Sequence, residues 1–170
     1  MSNQLIIRPE TSADAAAIYD ITKRAFAPMP YAGGDEQELI TTLRDGGALT
    51  ISLVAEVAGV LVGHIAFSPA TSDDGAAGWF ALGPVSVDPD WQKRGIGGAL
   101  ITAGFARLKA INAAGCILTG NPAYYQRFGF KPCPDLAPLR EPAPFFMAIE
   151  LGGNFPKARF AFHPLFYNEG

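Results

Sequence analysis

The stretch Val85–Leu100 (VSVDPDWQKRGIGGAL) constrains the fold of this chain most tightly. Val85 and Val87 alternate about Ser86, which suits a half-buried strand. Asp88-Pro89-Asp90 follows as turn chemistry, because proline presets its own φ and aspartate bonds nearby backbone. Gly95, Gly97 and Gly98 then strip side chains from the backbone just where an apolar helical pattern begins. A loop of this kind presents unpaired N–H groups at a helix start and favours an anion there. Lys93 and Arg94 sit at the end of the helix where the dipole disfavours cations. They are poorly placed for helix stability and well placed to hold a phosphate.

The rest of the chain supplies alternating strands and helices. A strand is expected at Leu5–Ile7 and a helix opening at Thr11 or Ser12, with Asp14 spaced as in a capping box and Ile18, Ile21, Ala25 and Phe26 on one face. A second helix starts at Asp35 and closes at Gly46-Gly47, with Glu36 and Glu38 in its first turn. Strands at 50–56 and 60–68 flank a turn at Val57-Ala58-Gly59, and His64 lies in the second of them. A strand at 79–87 carries Pro84, which predicts a bulge or a break in its ladder. The glycine-rich loop leads into a helix ending near Asn112. A buried strand at 116–119, a brief helix at 123–128, a proline-rich surface connection at 132–144 and a strand at 145–151 complete the series. Gly152-Gly153-Asn154 then turns the chain into a returning strand at 158–162, a C-terminal β-hairpin. The interleaved order specifies an α+β (α/β-like) fold: one domain over 1–170, core 3–163 and tail 164–170, with a mixed, mostly antiparallel twisted sheet of about seven strands flanked by helices.

Composition excludes several classes. With 17% charged residues and about half the chain apolar, the protein is globular. Its net charge of −3 argues against a nucleic-acid-binding face. Cys116 and Cys133 have no metal-type spacing and read as free thiols of a cytoplasmic protein. No apolar run is long enough for a membrane span. The loop is neither a dinucleotide fingerprint, lacking the third small residue and an acidic strand end, nor a phosphate-binding loop ending in Gly-Lys-Ser/Thr.

The Gln92-x-x-Gly95-x-Gly97 spacing resembles the pyrophosphate loop of the GNAT superfamily of N-acetyltransferases. Ala123–Phe130 (AYYQRFGF) resembles that family's later Tyr-x-x-x-Gly-Phe motif. The resemblance implies an acyltransferase that moves an acetyl group from acetyl-CoA to a primary amine by direct attack in a ternary complex, without a metal. It implies that Val85, Ser86 and Val87 meet the pantetheine arm. Gln92, Lys93, Arg94, Gly95, Ile96, Gly97 and Gly98 would cradle the pyrophosphate. Tyr125 would be the general acid, and Asn121, nearer to Tyr125 than the family's usual asparagine, a further coenzyme contact. Many members carry a glutamate base on the central strand; 79–87 has no acidic residue, which leaves His64, Glu36, Glu38 or no fixed base. A non-catalytic acyl-CoA-binding sensor is the alternative. The acceptor, a small amine or a peptide, would meet the 29–43 segment, the 69–78 loop and the C-terminal hairpin, with Phe26, Met29, Tyr31 and Phe146 as apolar walls. Family members of this size often form homodimers.

Overall fold

The computed structural model describes residues 4–29 and 32–167. Among the described residues nine strands form: β1 (Leu5–Pro9), β2 (Ile51–Val57), β3 (Val60–Pro69), β4 (Thr71–Ser72), β5 (Trp79–Val87), β6 (Gly115–Thr119), β7 (Lys131–Pro132), β8 (Phe146–Glu150) and β9 (Phe160–Ala161). The α-helices are α1 (Ala15–Phe26), α2 (Glu36–Asp45), α3 (Ile96–Ala110) and the one-turn α4 (Pro122–Tyr125). Seven strands follow the hydrogen-bonded order β1-β2-β3-β5-β6-β8-β7, and β4 pairs with β9 in a separate ladder. The β5–β6 pair is parallel; β1–β2, β2–β3, β6–β8 and β7–β8 are antiparallel, giving the mixed sheet expected. The chain clusters into two compact units, 1–67 with 83–104 and 68–82 with 105–170.

In the first unit, β2 and β3 close through Ala58 (φ 52°) and Gly59 (φ 80°), two left-handed residues as a tight hairpin turn requires. Ile18 of α1, Ile40 of α2 and Val54 of β2 share one core cluster. Arg8 ties β1 to the turn before α1: its Nη1 and Nη2 donate to Asp14 at 2.8 and 3.1 Å, and its Nε donates to Glu56 at 3.0 Å. Asp14 also accepts from the Thr11 N–H at 2.7 Å, so the expected capping pair forms around a 3-10 turn ahead of α1.

Helix α3 lies hard against β3. A Cβ at Gly63 would stand 3.0 Å from Leu100 and 3.2 Å from Ile96. At Gly104 it would stand 2.3 Å from the ring of Phe67, which is wholly buried. Small residues at these two positions let helix and strand backbones approach. The apolar sequence of α3 therefore buries Ile96, Leu100, Ile101 and Leu108.

In the second unit, Trp79, Ala81, Ile117, Phe146, Ala148 and Phe160 form the core. The β5–β6 register ends at Ala81↔Ile117, ahead of the cis Gly83–Pro84 peptide. The break expected near Pro84 thus falls on the β6 side. The expected C-terminal hairpin does not form. β8 lies between β6 and β7, while Phe160–Ala161 pairs with Thr71–Ser72 of β4. The Gly152–Asn154 turn does not fold the chain back on β8, whose neighbours are already in place. The loop instead follows Ala114, whose carbonyl accepts from the N–H groups of Leu151 (2.8 Å), Gly152 (3.2 Å) and Gly153 (3.0 Å).

Gly104→Ala should destabilise the protein by about 1–3 kcal/mol, because the buried Phe67 ring has nowhere to go. Urea unfolding followed by circular dichroism measures this; an unchanged midpoint would refute the close-approach argument.

Candidate active site

The turn after β5 is built on Asp88. Its Oδ1 accepts from the Asp90 N–H at 2.9 Å and caps the 3-10 turn Pro89–Trp91. Its Oδ2 accepts from Arg24 of α1 at 3.0 Å, and its own N–H donates to Val62 of β3 at 2.8 Å. Burial pushes the Asp88 carboxyl up, but Arg24 and the Asp90 N–H outweigh it and hold the pKa below the ordinary value. The start of the loop is therefore pinned to a helix and a strand at once.

Gln92 Nε2 donates to the Val87 carbonyl at 3.2 Å, folding the loop back on the end of β5. Lys93 (φ 65°) and Gly95 (φ 80°) are both left-handed, so the backbone reverses twice within three residues. α3 opens at Ile96, and its first backbone bond runs from Ala99 N to Gly95 O at 3.0 Å. The N–H groups of Ile96, Gly97 and Gly98 thus belong to the first turn, where no intrahelical carbonyl can accept them. Arg94 stacks over the Trp91 ring at 4.7 Å, and its Nη2 lies 3.4 Å from the Asp90 carbonyl. Gln92, Lys93, Arg94 and Gly95 are exposed. On β5, Ser86 turns inward, its Oγ 3.3 Å from Thr22 Oγ1 of α1, while Val85 and Val87 stay half-buried on the opposite face.

Asn121 Oδ1 accepts from the Ala123 N–H at 3.0 Å and caps α4. The Tyr125 ring packs edge-on against Tyr124 (5.0 Å between centroids) and Phe130 (6.0 Å). Phe130 in turn meets Phe105 at 5.7 Å. Gly129 (φ 98°) ends the 3-10 turn that follows, a left-handed position that explains glycine there. Tyr124 lies under the Arg127 guanidinium at 4.9 Å, a packing role.

Each candidate base has a hydrogen-bond partner in the fold. Glu36 accepts from the N–H groups of Gly33 (2.8 Å) and Gly34 (3.1 Å), tying the entry to α2. Glu38 accepts the hydroxyl of Tyr19. His64 is completely buried. Its Nε2 lies 2.7 Å from Ser52 Oγ, and the Ser52 hydroxyl reaches Glu10, which Arg44 grips at 2.9 and 3.0 Å. With the Ser52 proton on Glu10, His64 Nε2–H donates to Ser52 and Nδ1 is a bare acceptor, which has no hydrogen-bond partner among the described residues. Burial pulls the His64 pKa down, and the attraction of Glu10 does not reverse this. At Glu10, burial raises the pKa, but the nearby His64 and the bonds from Arg44 and Ser52 bring it to about 2. Of the proposed acceptor walls, Phe146 is wholly buried against Phe160 and Phe162, and Tyr31 lies outside the described residues. Phe26 and Met29 are half-buried. Among the described residues, no group of three or more His, Cys, Asp or Glu could hold a metal ion, and no helix is long and apolar enough to cross a membrane.

Residues 49–132 match the acetyltransferase (GNAT) domain family. The chain is 32% identical over 128 residues to the uncharacterized N-acetyltransferase YhbS of Escherichia coli, covering 75% of this chain and 74% of that protein. This chain belongs to the GNAT family of N-acetyltransferases. The crystal structure of a GNAT family acetyltransferase from Brucella melitensis in complex with acetyl-CoA has 42% identity and a TM-score of 0.86, over 97% of this chain and 99% of that one. The Escherichia coli YhbS structure in complex with CoA has 26% identity and a TM-score of 0.88, over 100% of this chain and 96% of that one.

One residue escaped the sequence reading. Glu141, in the proline-rich connection, accepts the Thr119 hydroxyl at 2.8 Å and the Tyr167 hydroxyl at 2.8 Å. No periodicity marks it, and its partners lie 22 and 26 residues away.

The buried histidine sets a pH dependence. Its depressed pKa means that the folded protein resists the proton an unfolded chain takes up near 6.5. Stability should therefore fall as pH drops below about 6.5. In His64→Gln, thermal midpoints recorded between about pH 7 and 5 should change less with pH than in wild type; equal slopes would remove His64 as the cause.

Proposed function

We propose that this N-acetyltransferase binds acetyl-CoA through the 92–98 loop and the edge of β5, and transfers the acetyl group to a primary amine. The first-turn N–H groups of α3, which have no acceptor within the helix, carry this reading together with the left-handed Lys93 and Gly95. They suit a pyrophosphate: the helix dipole favours negative charge there, and Gly95, Gly97 and Gly98 carry no side chains. Lys93 and Arg94 add positive charge at the rim. The chain's relatives support the choice of donor, since the Brucella melitensis acetyltransferase was crystallised with acetyl-CoA and YhbS with CoA.

Acetyl-CoA, when bound, supplies an acyl group activated as a thioester. Val85 and Val87 offer the outer face of β5 to the pantetheine arm, and Ser86 holds the strand against α1. Tyr125 Oη donates its proton to the departing sulfur, a step that lowers the barrier because a thiolate is a poorer leaving group than a thiol. Asn121 acts through α4, whose cap it forms, and so helps place Tyr125. Glu36, Glu38 and His64 serve the fold; the acceptor amine passes its proton to solvent. Two free cysteines, one buried and one half-buried, suit work in the reducing cytoplasm.

Tyr125→Phe should lower kcat by about a hundredfold while coenzyme A affinity, measured by calorimetry, moves less than about threefold. An unchanged kcat would remove Tyr125 from the reaction. Gly95→Val, which cannot hold φ 80° without strain, should weaken coenzyme A binding by about tenfold or more in a protein with an unchanged far-UV spectrum. Full affinity in that variant would move the pyrophosphate elsewhere.

A further inference from the structure

We propose that Arg24 of α1 is a positioning residue for the coenzyme. It acts by holding and neutralising Asp88, whose negative charge would otherwise oppose a diphosphate in the 92–98 loop. This rests on the donor-binding reading above and names a further residue on which that binding depends.

Asp88 serves two opposed demands. The turn after β5 needs a side-chain oxygen here, because Asp88 Oδ1 accepts from the Asp90 N–H at 2.9 Å and caps the 3-10 turn Pro89–Trp91. An aspartate also brings a full negative charge into a loop that is to receive an anion. The turn keeps that charge close. The Trp91 N–H donates to the Asp88 carbonyl at 2.7 Å, and Gln92 Nε2 donates to the Val87 carbonyl at 3.2 Å. The chain from 88 to 93 therefore folds back on β5 and spans less than its extended reach of about 18 Å. With 13% side-chain exposure, the Asp88 carboxylate is largely out of water and poorly screened.

Arg24 meets both demands at once. Its Nη2 donates to Asp88 Oδ2 at 3.0 Å across 64 residues of sequence, leaving Oδ1 to the cap. Among the described residues, Arg24 is the cation paired with Asp88. Arg94, much nearer in sequence, lies over the Trp91 ring instead. Burial pushes the Asp88 carboxyl up, and Arg24 leads the groups that keep it ionised. The Arg24 Nε donates to Asp20, one turn back on α1, at 2.9 Å; Asp20 is exposed, so water screens that second carboxylate. The helix is set independently of this pair. Thr22 gives its hydroxyl proton to the Ile18 carbonyl at 2.7 Å and accepts from Ser86 Oγ at 3.3 Å, both side chains being buried. An ion pair wholly in water contributes little. This one has its acidic partner withdrawn from water and built into the donor loop.

Calorimetry of coenzyme A binding tests this in wild type, Arg24→Gln, Arg24→Lys and the double variant Arg24→Gln/Asp88→Asn. Arg24→Gln should raise Kd by about tenfold. Adding Asp88→Asn should recover about threefold or more of that loss, because asparagine keeps the capping oxygen and removes the charge. Arg24→Lys, which keeps the charge, should recover part of it too. Unchanged affinity in Arg24→Gln overturns the assignment. So does a double variant that binds no better than Arg24→Gln, since Arg24 would then be a plain structural tie or would touch the ligand itself. Should Arg24→Gln fail to fold, the double variant is compared with wild type directly: a Kd within about threefold upholds the assignment, and a larger loss overturns it. All these outcomes leave the donor site standing. Failure of wild type to bind coenzyme A strikes the donor reading itself and takes this inference with it.

Discussion

The contact of α3 with β3 governs much else in the first unit. Gly63 and Gly104 let the helix settle onto the strand until Leu100, Ile96 and Phe67 touch the bare backbone positions. A helix so placed has its first turn, Ile96–Gly98, fixed relative to the sheet. A methyl group at Gly104 would meet a ring that is wholly buried, so the spacing has no slack. The end of the 88–95 loop that joins α3 takes its position from this packing.

Hydrogen bonds complete the arrangement at the other end of the loop. Asp88 joins α1 through Arg24, β3 through its own N–H, and the following turn through Asp90. Between this anchor and the helix, Lys93 and Gly95 take left-handed conformations that swing the chain around. One charged side chain and two backbone inversions thus convert a strand end into a helix start over a few residues. Arg94, with its guanidinium on the Trp91 ring, remains at the rim of that turn.

The polar residues that the sequence offered as bases illustrate how burial and hydrogen bonding engage a side chain. His64 looks like a base because histidine titrates near neutrality. In the fold it is sealed among Ser52, Glu10 and Arg44, and burial keeps it neutral. Glu36 and Glu38, both in the first turn of α2, accept from the Gly33–Gly34 N–H groups and from Tyr19 respectively. Glu141, in a connection without periodicity, accepts from Thr119 at the end of β6 and from Tyr167. Local sequence cannot rank these four residues, because the ranking depends on partners far along the chain.

Much of the molecule was legible without coordinates. The alternation in β5, the Asp-Pro turn, the glycine run and the apolar pattern of α3 are local matters of φ/ψ preference and periodicity, and each element lies where these place it. The same holds for the β2–β3 hairpin; that Asn121 caps α4 was not read from the sequence. The destination of the C-terminal strand was not legible. A glycine turn after a strand suggests a hairpin, but β8 is enclosed by β6 and β7, and the true partner of β9, Thr71–Ser72, is too short to leave a pattern. The sequence by itself determined the elements, the glycine-rich helix start and the family motifs, all of which depend on neighbours a few residues apart. Only the tertiary structure decided strand pairing, which carboxylates are committed to the fold, and where Glu141 stands, because burial and hydrogen bonding join residues that the chain keeps far apart.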